Sequence, residues 1–169
     1  MNQLEGSEAL IETIIGYVVA LFIFQPLNVF IHENGHAFFV KIFGGQVFKI
    51  EIGIGDPLFN IGSLQVNKQF FMFGICRCEY NSPDPTLLNE KIKLSLIALG
   101  GIIFNLLTIF ILIVVKIYTS HHHFLDGYFF SFTGILILSA LIPVTYFTGY
   151  KSDGLGLVNT WRKKNDKVY

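Results

Sequence analysis

The chain has 169 residues, of which 52% are hydrophobic and 14% charged, with a mean hydropathy of +0.56 and a formal net charge of +0. That is too apolar for a soluble domain and carries no basic excess for nucleic acid. It reads as one α-helical integral membrane domain over residues 1–169, with no separate soluble part.

Residues 1–8 are polar and mildly acidic, without the basic start and small-residue cleavage site of a signal peptide. From Thr13 to Ile31 no residue is charged, which is enough for one membrane crossing. The helical pattern runs on, so a first helix is expected over about 8–43, bent at Pro26 and ended by Gly44-Gly45. Its second half holds His32-Glu33-Asn34-Gly35-His36, an H-E-x-x-H motif. Residues four apart share a helix face, so the two imidazoles can hold one metal ion. Glu33 then falls where it can take a proton from water at that ion, the arrangement of zinc proteases. An ionisable cluster is costly in membrane sequence, which favours function over two ordinary histidines. Gln25, Asn28, His32 and His36 follow spacings of three and four, a stripe expected to face protein or water.

Residues 45–80 lose the helical period. Phe48 to Ile54 alternates polar and apolar, and Ser63 to Val66 and Gln69 to Tyr80 are further strand candidates. Turn signals at Gly55-Asp56-Pro57, Asn60-Ile61-Gly62 and Val66-Asn67-Lys68 separate them. The expectation is a small antiparallel β segment at the membrane surface, between the first two helices, closed by the loop from Asn81 to Pro85. Cys76 and Cys78 share one face of a strand and are too close in sequence for an ordinary disulfide. They read as free thiols on a reducing side, with a metal role as the alternative.

A second helix is expected over 93–116, uncharged between Lys93 and Lys116. Its Gly100-Gly101 permits close helix approach, and Asn105 is a lone amide that needs a partner. Residues 118–126 form a short turn holding His121, His122 and His123, read as solvated rather than as a second metal site. A third helix over 125–143 ends at Leu141-Ile142-Pro143. A short helix over 152–161 opens with Ser152 or Asp153 as its cap. Trp161 is an interfacial anchor, followed by the polar tail Arg162-Lys163-Lys164-Asn165-Asp166-Lys167.

Three crossings would put the ends on opposite sides of the bilayer. Lys41, Lys49, Lys68, Arg77, Lys91, Lys93, Lys151 and the tail cations share one side, against Lys116 on the other. The β segment and C-terminus are therefore expected in the cytoplasm and the N-terminus outside; a bacterial cell membrane is the expected setting.

A catalytic zinc takes three protein ligands and keeps one position open. Asp153 leads for the third place, because it follows the third helix on the same side as His36 within apolar sequence. Asp56, Asp84 and Glu51 are rivals in exposed loop sequence. At this point the chain resembles the site-2 protease family of intramembrane zinc metalloproteases, in its minimal three-helix core form. The resemblance rests on His32-Glu33-Asn34-Gly35-His36, Gly44-Gly45, Gly101-Ile102-Ile103-Phe104-Asn105, Leu141-Ile142-Pro143 and Ser152-Asp153-Gly154. It implies one Zn2+ ion held by His32, His36 and Asp153, with Glu33 acting on water and Asn105 near the substrate backbone. Ala140 stands where members of the family often have Asn, and Pro143 and Asp153 are separated by an insert.

The chemistry expected is hydrolysis of peptide bonds in a membrane-embedded or membrane-associated peptide. Glu33 is the general base, and Asn105 helps to stabilise the oxyanion. A helical substrate hides its peptide bonds and must unwind, and an exposed sheet edge could bind it as an added strand. The lipid bilayer and a regulatory membrane partner complete the expected partners. Two alternatives stand beside this reading. One is a non-catalytic membrane protein that keeps a structural metal in an immunity or interaction role. The other is a metal carrier using His121, His122 and His123 as its entry point.

Overall fold

The computed structural model describes residues 3–119, 123–146 and 149–162. His121, His122 and the tail beyond Arg162 lie outside the described residues.

The first helical run divides into α1 (Gln3–Val19), a π-helical turn (Ala20–Phe24) and α2 (Gln25–Ile42). Proline dictates the interruption. Pro26 has no N–H for the carbonyl of Phe22, and its ring crowds that group. The N–H of Gln25 instead reaches back five residues to the Ala20 carbonyl, which widens the turn. The run ends at Gly44, whose φ of 86° lets Gly45 N–H return to Val40 O at 2.8 Å.

The β segment is one hairpin, β1 (Gln46–Ile61) antiparallel to β2 (Leu64–Glu79). Three strands separated by turns were expected. Instead, Gly55-Asp56-Pro57 and Val66-Asn67-Lys68 are absorbed into two long strands as register shifts. Ile50, Glu51 and Ile52 are each paired twice, with Cys76, Ile75 and Gly74 on one edge and with Leu64, Gln65 and Val66 on the other. The far half of the hairpin is thus folded back on the near half. Gly53 permits the fold, with φ +85° and Phe70 Cα only 2.5 Å from where a Cβ would stand. Asn67 Nδ2 donates to the Gly53 carbonyl at 2.9 Å and satisfies the turned backbone. Among the described residues, no strand pairs with the outer edge of residues 74–79.

The remaining helices are α3 (Leu88–Thr119), α4 (Leu125–Leu141) and α5 (Asp153–Trp161). The α3–α4 turn is tied by Lys116 Nζ donating to Asp126 Oδ2 at 2.7 Å and by His123 N–H donating to the same oxygen at 2.9 Å. Two helical runs, Gly6–Ile42 and Leu88–Thr119, are long and apolar enough to cross a membrane. The third expected crossing is not established. α4 is apolar but has 17 residues, about 26 Å against a hydrocarbon core of about 30 Å. It stops at Leu141 because Ile142, the residue before Pro143, is driven to extended backbone.

Side-chain placement is inverted relative to a soluble protein. Ile14, Phe110 and Leu138 point outward, each more than half exposed, while Asn28, Asn105 and Thr133 are at 0%. Polar groups therefore gather inside and apolar surface faces out, as a lipid surrounding requires. The predicted stripe of α2 faces inward at Asn28, His32 and His36. α2 meets α3 where Gly35 and Gly100 abut, and a Cβ on Gly100 would stand 2.6 Å from the Gly35 carbonyl oxygen. Val29 and Ala37 of α2 pack on Ile50 and Ile52 of the hairpin, and Ile102 of α3 packs on Ile137 and Ala140 of α4. α2 is thus held between hairpin and α3, with its histidines turned inward.

Candidate metal centre

His32 and His36 are buried one turn apart on α2, with ring centroids 4.9 Å apart. α3 fixes both rings. His36 Nδ1 lies 2.7 Å from the Ile97 carbonyl oxygen. Donation of the Nδ1 proton there leaves the Nε2 lone pair directed inward. Behind His32 stands Asn105, its Nδ2 3.4 Å from His32 Nδ1 and its Oδ1 without a hydrogen bond. A half turn of that amide presents Oδ1 to the Nδ1 proton and frees His32 Nε2 in the same way. Gly101 leaves the space for the His32 ring, since a Cβ there would strike it.

Asp153 arrives from the other end of the chain, and its insert explains how. Pro143 has no N–H for the Ser139 carbonyl, four residues back. The Tyr146 hydroxyl donates to that carbonyl instead, at 3.1 Å. Ser152 closes the loop. Its Oγ donates to Ile142 O at 2.6 Å and accepts from Val144 N at 3.1 Å and Leu155 N at 3.2 Å. The insert thus returns to its starting point, and Gly154 seats against the Leu141 carbonyl, where a Cβ would not fit. Ser152 is the cap of α5 and Asp153 its first residue.

The result is a three-membered cluster. Asp153 Oδ2 is 3.0 Å from His32 Nε2, and Oδ1 is 3.4 Å from His36 Nε2. Among the described residues, His32, His36 and Asp153 are the group whose ligand atoms all lie within 4.8 Å. Tetrahedral zinc with bonds of about 2.1 Å holds its ligand atoms about 3.4 Å apart, so the spacing fits. The buried Asp153 Oδ2 makes no hydrogen bond although His32 Nε2 is so near. Lone pairs that face one another across this gap form a donor set for a cation, and two imidazoles with a carboxylate suit zinc.

Glu33 is buried beside the cluster. Its carboxylate faces the Cys76 backbone amide, and a Cβ on Gly74 would come within 2.8 Å of its Oε1. The unpaired edge of β2 therefore runs past Glu33. These groups line a cavity of about 700 Å³ with Phe73, Arg77, Tyr146 and Tyr150. Phe73 and Tyr146 stack with centroids 5.5 Å apart, and Arg77 lies over the Tyr150 ring at 5.9 Å, joining hairpin to insert.

Of the residues singled out in the sequence, His32, Glu33, His36 and Asp153 come together. Asn105 does not reach the cavity wall; it stands behind His32. The rivals for the third place are engaged elsewhere. Asp56 pairs with Lys68 at 2.9 Å, Asp84 Oδ1 accepts from Thr86 N–H and Oγ1, and Glu51 pairs with Arg77 at 2.8 Å. The Arg77 guanidinium holds the Glu51 carboxyl below its ordinary range. The Ile97 carbonyl and Cys76 amide had no signal in the sequence, being backbone. Tyr146 was legible only as an aromatic in irregular sequence.

Comparison with known proteins decides the family. The model of peptidase family M50 matches residues 17–158, a span that includes all four clustered side chains. The chain belongs to peptidase family M50, the site-2 protease family. M50 is a family of metallopeptidases, typically zinc-dependent, and membership supports a membrane location for this chain. It is also similar to an uncharacterized membrane protein of Bacillus subtilis, YwmF. The two are 31% identical over 149 residues, which cover 86% of this chain and 89% of the relative. No solved structure matches.

Proposed function

We propose that this M50 protein is an intramembrane zinc protease that hydrolyses peptide bonds of a membrane-embedded or membrane-associated polypeptide. The observation that carries the reading is Asp153 within 3.4 Å of both imidazoles, with the Glu33 carboxylate in the same cavity. His32, His36 and Asp153 would hold the ion. Zinc in a three-ligand site supplies positive charge that acidifies water and polarises a carbonyl.

The chain's own groups do the rest. Glu33 accepts a proton from the attacking water and returns it to the leaving amine, as a buried carboxylate inside hydrogen-bond reach can do. Asn105 and the Ile97 carbonyl act through the imidazoles, orienting each ring so that Nε2 faces the ion. The outer edge of residues 74–79 offers unpaired backbone beside Glu33. An unwound substrate added there as a strand is extended and lies next to the base. Phe73 and Tyr146, with Arg77 and Tyr150, form the outer wall that such a strand passes. In the bilayer, α1–α2, α3 and α4 make three crossings, with hairpin and C-terminus in the cytoplasm, supported by the excess of Lys and Arg on that side.

The test is Glu33→Gln in purified protein reconstituted with a membrane peptide. Cleavage should fall by about 100-fold or more while bound zinc is retained. Undiminished cleavage would rule out the mechanism. Cleavage in neither protein, with zinc bound in both, would favour a structural metal.

A further inference from the structure

The two cysteines take no part in the mechanism above. Cys76 and Cys78 stand two apart on β2, so their side chains leave the same face of the strand. Both are half-buried and free, and both line the cavity that His32, Glu33, His36 and Asp153 line. Gly74, two residues before Cys76 on the same strand, packs against the Glu33 side chain, and the thiols share its cavity wall.

Their spacing sorts the chemistry open to them. Residues two apart on a strand have Cα atoms about 6.7 Å apart with parallel Cβ vectors, at the far limit for a disulfide. Chelation meets no such obstacle. Two sulfurs bound at about 2.3 Å to a tetrahedral ion stand about 3.8 Å apart, a separation that two cysteines on one strand face reach when their Sγ atoms lean toward each other. Among the described residues no third ligand-type side chain joins them as closely as the members of the His32 cluster join each other. Such a pair suits a soft cation that takes two sulfurs and fills its other positions with water, whereas imidazole and carboxylate retain zinc.

We propose that Cys76 and Cys78 form a second metal subsite, for a soft thiophilic cation, on the wall of the same cavity, and that filling it blocks Glu33. Binding exchanges two S–H bonds for two metal–sulfur bonds and releases two protons; no oxidant is required. An ion there sets positive charge beside the Glu33 carboxylate and holds it away from water. The blocking half rests on the protease reading, and the binding half does not.

Cadmium is the probe, added to the full-length, zinc-loaded protein in nanodiscs. The wild type should take up one Cd2+ beyond the zinc it carries and show the ultraviolet sulfur-to-cadmium charge-transfer band. Peptide cleavage should decline in step with that band. The double variant Cys76→Ser/Cys78→Ser should keep its zinc, show no band, and need at least tenfold more Cd2+ for half-inhibition of its own activity. Each single variant, Cys76→Ser or Cys78→Ser, should weaken the band. No band in the wild type, or equal inhibition in the double variant, would overturn the proposal. A band in a protein that cleaves nothing before cadmium is added would uphold the thiol site and refute the protease reading together with the blocking.

Discussion

Gly101→Ala should separate the metal centre from the fold around it. A Cβ at Gly101 would stand 2.5 Å from His32 Cε1, roughly 1 Å short of ordinary carbon–carbon contact. Gly101 is part of α3, next to the contact of Gly100 with Gly35, so the backbone cannot retreat cheaply. The ring of His32 must move instead. Metal–ligand distances tolerate about 0.2 Å, so a shift of this size removes His32 from the ligand set. Zinc affinity should fall by about 100-fold or more, a cost of about 2.7 kcal/mol. The fold should lose only about 1–3 kcal/mol from overpacking. Gly134→Ala in α4 is the control, because nothing lies within 4 Å of the added methyl. It should stabilise the helix by about 0.5–1 kcal/mol and leave zinc affinity unchanged. Chelator competition in detergent measures the first quantity and helical melting the second. If Gly101→Ala binds zinc within about threefold of wild type, the reasoning about His32 is wrong.

Three further outcomes follow from the same geometry. Asn105→Leu removes the amide behind His32 and should weaken zinc binding by about 10–100-fold in the same competition assay, with helicity retained. Tyr146→Phe leaves the Ser139 carbonyl without the donor that replaces the missing Pro143 N–H; unfolding in mixed micelles should show a loss of about 1 kcal/mol. Arg77→Gln removes the partner that holds the Glu51 carboxyl low. The pair contributes stability at neutral pH that fades as acid protonates Glu51, since the unfolded chain takes up that proton first. The wild type should therefore exceed Arg77→Gln by about 1 kcal/mol at pH 7, and the gap should narrow as pH falls below about 4.5. A gap that is constant or grows in acid would contradict the assignment.

Local spacing made half of the centre legible. The i, i+4 histidines and the adjacent Glu33 follow from helix geometry alone, and the helix that carries them lies where uncharged sequence required it. Asp153 is different. Nothing local brings a residue 117 positions after His36 to the same point. It was reached through its neighbourhood and through the family pattern. The device that delivers it, Ser152 closing the insert onto Ile142 and Val144, is tertiary and has no periodic signal. The hairpin went astray for a related reason. Gly55-Asp56-Pro57 is a valid turn signal, but a strand with one lightly packed edge can absorb such residues as bulges. Pairing on both edges of Ile50 to Ile52 held the strand together across it. Asn105 was expected near the substrate backbone; its amide lies 3.4 Å from His32 Nδ1, a tertiary neighbour that no spacing in the sequence announces.

The most direct test of the metal centre is X-ray absorption at the zinc edge on the purified protein. The spectrum should show one zinc per chain, with two imidazoles and carboxylate or water oxygen as nearest neighbours and no sulfur. Asp153→Ala should lower the bound zinc. Protein that carries no metal, a sulfur neighbour in the wild type, or an Asp153→Ala variant with an unaltered spectrum would contradict the cluster assigned to His32, His36 and Asp153.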